Sequence, residues 1–293
     1  MSLRVREIIE KADARFREEL YRTADMICAD TEPGIVRLSG PTCSGKTTAA
    51  KMLVKRMAEN GKNAVFISID DFYYDNEYLV KISGDNGFDG IDYDSPATID
   101  TAALAEFIDK LDRTREAVSP HFNFTTGKRE QGRRITVGEN DILIFEGIQA
   151  VYPQIIELFG GKRTEGIFIV PNESITVCGE CFAPNEIRLM RRIVRDRNFR
   201  DTTAPETMAL WKNVRENEEK NIFPYVERCK HLINSTMPYE IGVLRPYLER
   251  ILNEPECDGQ YKGEFERMLE RVSGVEPIPS SYIDEDSLYK EFV

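Results

Sequence analysis

The stretch Gly40-Pro-Thr-Cys-Ser-Gly45-Lys46-Thr47-Thr48 constrains this chain more than any other. Before it runs Ile35-Val-Arg-Leu-Ser39, short, branched and mostly apolar. After it runs Thr48 to Asn60, rich in Ala, Lys, Met, Leu and Glu. The order is strand, glycine loop, helix. Glycines let a backbone turn with positive φ and press its N–H groups against an anion. The helix N-terminus adds partial positive charge. Lys46 can reach the β- and γ-phosphates of a nucleotide, and the Thr47 hydroxyl can ligate Mg²⁺. The pattern predicts a nucleotide-binding loop in which Gly40, Thr42, Cys43, Ser44, Gly45, Lys46, Thr47 and Thr48 surround the phosphates.

The rest of the chain reads as alternating strands and helices. Ala64-Val-Phe-Ile-Ser-Ile69 and Asp141-Ile-Leu-Ile-Phe145 are nearly continuous apolar runs, as is Gly166-Ile-Phe-Ile-Val170. Such runs suit strands buried on both faces of a parallel sheet. Cys229 to Asn234 reads as a last short strand. Helical spacing marks residues 1–29, 97–111, 152–159, 185–198, 205–221, 239–252 and 263–272. Residues 119–137 read as a hairpin-like excursion, and 75–97 as a long polar loop. This alternation predicts an α/β fold, a phosphate-loop three-layer sandwich with a mainly parallel sheet and helices on both faces. The expected organisation is an N-terminal helix over 1–33, a kinase domain over 34–253 with an Arg-rich lid around 185–203, and a C-terminal helix and tail over 254–293.

The net charge of −12, from 39 Lys plus Arg against 51 Asp plus Glu, argues against nucleic acid or an anionic membrane as partner. No apolar run has the length of a bilayer span. The six cysteines are scattered, which fits a reduced, cytoplasmic setting rather than a disulfide framework. Cys178-Gly-Glu-Cys181 lacks the second pair that a structural zinc site needs, and reads as two thiols in a loop.

In open α/β sheets the ligand lies beyond the carboxyl ends of the strands. Asp70, Asp71 and Glu146 occupy such positions. Phosphoryl transfer to a hydroxyl needs a carboxylate near the attacking oxygen, Mg²⁺, and cations on the developing charge. Asp70 or Asp71 can supply the base or a water-mediated metal contact, and Glu146 an acid on the Mg²⁺ side. Arg188, Arg191, Arg192 and Arg195 fall at i, i+3, i+4 and i+7 and share one helix face. Such a cluster in an acidic protein predicts a lid that closes on phosphate. Asp89, Asp92 and Asp94 lie in the glycine-bearing loop after the second strand, where Asp94-Ser-Pro96 reads either as a turn before the helix or as a carboxylate that accepts hydrogen bonds from substrate hydroxyls. Phe122 and Phe124 either stack on a ring or fill core, and core is the better reading for isolated phenylalanines.

The ordered set resembles the uridine kinase and phosphoribulokinase family. Gly40–Thr48, Ser68-Ile-Asp70-Asp-Phe-Tyr73, Tyr93-Asp94-Ser-Pro96, Phe145-Glu146-Gly147-Ile148 and Arg188–Arg200 carry the resemblance. It implies that Asp70 activates the acceptor hydroxyl and that Asp94 holds ribose hydroxyls. It further implies that Glu146 stands on the Mg²⁺ side and that Arg191, Arg195 and Arg200 belong to a mobile lid. Trp211 to Tyr247 is similar to a bacterial-type uridine kinase-like branch whose members often carry an extra N-terminal domain. In uridine kinases a Pro-x-Tyr-Asp-Phe segment and a following histidine read the pyrimidine. Here Phe122 and Asn123 stand for the tyrosine and the acid, and Gly127 stands for the histidine.

The function expected on these grounds is transfer of the γ-phosphoryl of Mg·ATP to a hydroxyl of a small molecule, first of all uridine or cytidine. Lys46, Asp70, Arg191 and Arg195 form the expected catalytic set. Arg192 and Arg200 join the ATP-binding loop, and Tyr73, Asp94, Phe122 and Arg129 line the acceptor beside Asp70. Thr47 and Glu146 hold Mg²⁺, partly through water. Another polyol, a sugar phosphate or a vitamin-like alcohol is the alternative acceptor, and a non-catalytic ATP-binding regulator the alternative class. The partners are ATP and the small molecule, with a homo-oligomer compatible.

Overall fold

Five strands form the central sheet because each can bury both faces. They are β1 (Ile35–Ser39), β2 (Ala64–Ser68), β5 (Ile142–Glu146), β6 (Thr164–Val170) and β9 (His231–Asn234). All neighbouring pairs are parallel, in the order β2-β5-β1-β6-β9. The fold is a computed structural model that describes residues 3–30, 34–83 and 93–293.

Successive residues along the strands feed opposite cores. Val36, Leu38, Ile144, Ile167 and Ile169 face one side, with α1 (Leu3–Cys28), α2 (Lys46–Glu59), α6 (Pro184–Phe199), α8 (Glu240–Ile251) and α9 (Lys262–Ser273). Ile35, Ile67, Phe145 and Phe168 face the other, with α4 (Thr101–Thr114) and α5 (Pro153–Glu157). On this side lies a long antiparallel hairpin, β3 (Glu116–Asn123) and β4 (Lys128–Thr136). Arg37 is a charge buried inside β1. Its guanidinium is kept there by Thr164 Oγ1 and the carbonyls of Ala150 and Arg228.

Phe16 and Leu20 of α1, Phe265 and Val272 of α9, and Leu288, Tyr289 and Phe292 beyond it share the first core. The segments expected as an N-terminal helix, kinase domain and tail are thus packed on one another.

Three features depart from the sequence reading. The segment 75–97 is not wholly loop, because Asn76–Ser83 forms helix α3. Asp89 and Asp92 of that segment lie outside the described residues. The helix expected over 205–221 stops earlier: α7 spans Ala204–Asn217, and Glu218–Ile222 continues as a π turn. A small hairpin pairs β7 (Ile175–Val177) with β8 (Glu180–Phe182), and of the two thiols expected in a loop Cys178 sits in its turn and Cys181 within its second strand. Both are exposed, and among the described residues no group of His, Cys, Asp or Glu is arranged to hold a metal ion.

Candidate active site

β1 ends at the phosphate loop, and its geometry requires glycine at two points. Gly45 has φ 94, and an added Cβ would overlap the Leu288 side chain. A Cβ on Gly40 would overlap the carbonyl oxygen of Ile169. Cys43 also takes a left-handed φ of 57. Lys46 opens α2 and donates to the Pro41 carbonyl at 3.1 Å, so its ammonium lies back along the loop. The Thr47 side chain is exposed beside it.

The sheet register brings the acids to this loop. Leu38 of β1 lies opposite Glu146 of β5, and Ser68 of β2 lies opposite Glu146 on the other side. Two residues beyond Ser68 stands Asp70. Glu146 is buried, and desolvation pushes its carboxyl up to about 8. The Lys46 charge opposes that rise, while Asp70 and Glu291 add to it. Burial likewise raises Asp70, against the pull of Lys46 and a hydrogen bond from Gln149. Asp70 Oδ1 is enclosed without a hydrogen-bond partner.

Asp71 differs from its neighbour. It pairs with His121 Nδ1 at 3.1 Å and accepts the Phe122 N–H at 3.2 Å. It is spent on holding the β3–β4 hairpin, which leaves Asp70 facing the loop.

An enclosed, unpartnered carboxylate oxygen and a second carboxyl beside it are hard oxygen donors. With Thr47 next to Lys46, whose charge acts on both acids, this donor set fits Mg²⁺, which favours carboxylates together with substrate phosphates.

Tyr73, three residues beyond Asp70, is buried. Its hydroxyl donates to the Tyr93 carbonyl and accepts from Gln149 Nε2, both at 2.7 Å. Burial, then the charges of Asp70 and Asp94, push this phenol well above its usual value. The Asp94 backbone carbonyl accepts from Tyr152 Oη at 2.5 Å and Asn217 Nδ2 at 2.8 Å, which fixes the segment. Phe122 is buried, with ring centroids 5.3 Å from Tyr73 and 5.0 Å from Phe124. Phe124 is exposed. Gln149 is the member that sequence reasoning missed. It follows Glu146-Gly147 in a short 3-10 turn, and no spacing rule singles it out.

The residues that depart from the uridine kinase pattern carry architecture. Asn123 Oδ1 accepts the N–H groups of Thr125 and Thr126 and caps the hairpin turn. Gly127 has φ 64, a conformation that disfavours side chains, and an added Cβ would overlap Asn76 of α3. Asn76 in turn accepts from Tyr93 Oη at 2.7 Å.

Two expected site residues are placed differently. Arg129 lies opposite Phe122 in the hairpin and its guanidinium is committed to Asp100 at 2.9 Å. Arg191, expected in a mobile lid, has no exposed side-chain surface. It pairs with Glu240 at 2.7 Å and donates to the carbonyls of Cys43 and Ser235. Burial works against its charge, yet Glu240 outweighs that cost and holds the guanidinium above its usual value. Arg188 is equally enclosed, bound to Glu218 and to the Thr42 carbonyl. The charges of Arg188 and Arg191 are tolerated because each of these enclosed arginines meets a buried carboxylate. These two clamp the phosphate loop from behind.

The arginines further along α6 remain near the site. Arg192, Arg195 and Arg200 converge on the single carboxylate of Asp196. Three cations on one anion leave excess positive charge there. Arg200, half exposed, is close enough to lower Asp70 electrostatically.

A sequence profile of the Phosphoribulokinase / Uridine kinase family matches residues 35–240, from the first strand to the start of α8. The chain belongs to this family. The matched span holds the phosphate loop, Asp70, Glu146 and the α6 arginines, and members of the family are phosphotransferases that act on hydroxyl groups. Among relatives, it is similar to a uridine kinase of Ureaplasma urealyticum, 27% identical over 181 residues, covering 62% of this chain and 77% of that one. It is 29% identical over 167 residues to uridine kinase-like protein 4 of Arabidopsis thaliana, covering 56% of this chain and 30% of that protein. A solved structure of a possible uridine kinase from Bacillus stearothermophilus shares the fold with a TM-score of 0.50. Its identity is 15%, covering 74% of this chain and 98% of that one. Among the described residues no helix is long and apolar enough to cross a membrane.

Proposed function

We propose that this protein is an ATP-dependent kinase that phosphorylates a hydroxyl of a pyrimidine nucleoside, uridine or cytidine. One observation supports this above the others. The register of β1, β2 and β5 gathers Lys46, Asp70 and Glu146 around one phosphate loop.

Lys46 and the loop amides bind the β- and γ-phosphates of ATP. Thr47 and Glu146 hold Mg²⁺, which supplies charge neutralisation at the transferring group. Asp70, with its raised carboxyl and its enclosed Oδ1, accepts the proton of the attacking hydroxyl. Arg195 and Arg200 lend positive charge to the developing transition state. Tyr73, Gln149 and Asp94 orient the acceptor, and Phe122 walls its pocket. Arg188 and Arg191 act through the loop they brace.

Another polyol, a sugar phosphate or a vitamin-like alcohol is the second reading. It draws support from Asn123 and Gly127, which serve the hairpin turn and so do not read a pyrimidine. The test is a screen of nucleosides against polyols with Mg·ATP, monitored by ADP release. Turnover of uridine or cytidine supports the first reading, and turnover confined to a non-nucleoside alcohol supports the second. ADP release that persists undiminished in Lys46→Ala would remove the kinase assignment.

A further inference from the structure

The phosphate loop carries an anion that belongs to the chain itself. Glu291 Oε2 accepts both the backbone N–H and the hydroxyl of Thr48 at 3.3 Å. Thr48 lies in the first turn of α2, whose amides lack intrahelical acceptors and form an anion site. The same amide and hydroxyl lie where a bound nucleotide's phosphates are cradled.

The segment that brings Glu291 there is firmly seated. Leu288 packs on Gly45 of the loop. Tyr289 Oη donates to Glu240 Oε2 at 2.5 Å, and Asn198 Nδ2 donates to the Phe292 carbonyl at 3.3 Å. The Arg191 guanidinium lies 5.5 Å from the centre of the Tyr289 ring and 5.1 Å from that of Phe292. Leu288, Tyr289 and Phe292 are buried, so Glu291 is held between fixed neighbours. Its charge is felt at Glu146 and at Arg195, on the two sides of the phosphate site.

We propose that the Glu291 carboxylate is a built-in competitor for the nucleotide phosphate site, so that nucleotide enters the loop only by expelling it and loosening residues 286–293. A carboxylate and a phosphate oxygen are both anionic, and they cannot share one pair of donors. The apparent affinity for nucleotide is then scaled down to the fraction of molecules in which Glu291 has left Thr48. An anion on a helix N-terminus shifts such an equilibrium by about two- to thirtyfold. Any partner or modification that draws residues 286–293 away would raise nucleotide affinity by the same factor.

This inference rests on the phosphate loop binding nucleotide, the donor half of the proposed function. Its test is calorimetric titration of Mg·ADP into the full chain and into Glu291→Gln. Glu291→Asp, which keeps the charge but shortens the reach, serves as second variant. Hydrogen exchange of amides 286–293 is followed with and without Mg·ADP. The expected result is about two- to thirtyfold tighter binding in Glu291→Gln, a smaller gain in Glu291→Asp, and faster exchange of 286–293 when Mg·ADP binds the native chain. Equal affinity in the native chain and both variants would overturn the proposal. So would Mg·ADP bound with the exchange of 286–293 unchanged, or no binding by any of the three proteins. Tighter binding in Glu291→Gln without phosphotransfer to any alcohol would leave this proposal standing and overturn the kinase reading. Unchanged affinity with normal phosphotransfer would do the reverse.

Discussion

The guanidinium of Arg191 and the carboxylate of Glu240 meet at 2.7 Å with neither side chain exposed, and the same guanidinium holds the Cys43 carbonyl. The pair joins α6, α8 and the phosphate loop at one buried point. Removing one partner leaves an uncompensated buried charge, which costs about 3–5 kcal/mol. Arg191→Met is therefore expected to lower stability by that amount in urea denaturation. The double variant Arg191→Met/Glu240→Gln recovers part of the loss, because it removes both charges. Equal losses in the single and double variants would exclude this account.

Asp70 and Lys46 separate chemistry from binding. Asp70→Asn keeps the loop and its cation but removes the proton acceptor. A positioned base contributes about 10²- to 10⁴-fold. Phosphotransfer should drop within that range while Mg·ADP affinity stays within a few-fold. Lys46→Ala should weaken Mg·ADP binding and turnover together. Calorimetry beside an ADP-release assay distinguishes the two patterns.

The Gly127 turn sets a limit on re-engineering the acceptor end. Gly127→His restores the residue type of uridine kinases at that place. The left-handed φ and the overlap with Asn76 make it costly here, by about 1–3 kcal/mol. The expected outcome is a lower melting temperature with no gain in uridine turnover. A gain in uridine turnover at native stability would contradict the structural role given to this glycine.

Asp13 of α1 is buried, accepts from Tyr239 Oη at 2.6 Å, and leaves its Oδ2 without a partner. Burial raises its carboxyl above the usual range, against the hydrogen bonds of Tyr239 and Ser287. The folded state thus keeps this proton at pH values where the unfolded chain has lost it. Its contribution to stability falls as pH rises from about 4 through the raised value, and is then flat. Asp13→Asn should melt higher than the native protein at pH 7, with the difference shrinking as pH falls from the raised value to about 4 and constant below it. Melting curves across that range measure it, and a difference independent of pH would refute the assignment.

Strands and the phosphate loop were legible because their signals are local. The apolar runs at 64–69, 141–145 and 166–170 become β2, β5 and β6 with shifts of only a few residues. Asp70 and Glu146 could be found because strand ends are topologically predictable in such sheets. The arginines of α6 show where local reasoning fails. A four-residue basic face looks solvated or phosphate-seeking until Glu218 and Glu240, distant in sequence, are seen to neutralise it. Glu291 is further still from Thr48, and nothing in the periodicity of 280–293 announces that it reaches the loop. Gln149 escaped because its value comes from contact with Tyr73, not from its neighbours in sequence.

The pairing of Leu38 and Ser68 across from Glu146 has a consequence for how such a chain can diverge. The spacing between the phosphate loop and its acids is set by backbone ladders and so is indifferent to most side-chain changes. The proposed acceptor wall is made from a hairpin, α3 and a turn, none of which belongs to that ladder. Mutations can therefore accumulate in the hairpin and redirect the enzyme to a new alcohol without retuning the phosphoryl-donating end. A lineage built this way can change what it phosphorylates far more readily than how it phosphorylates.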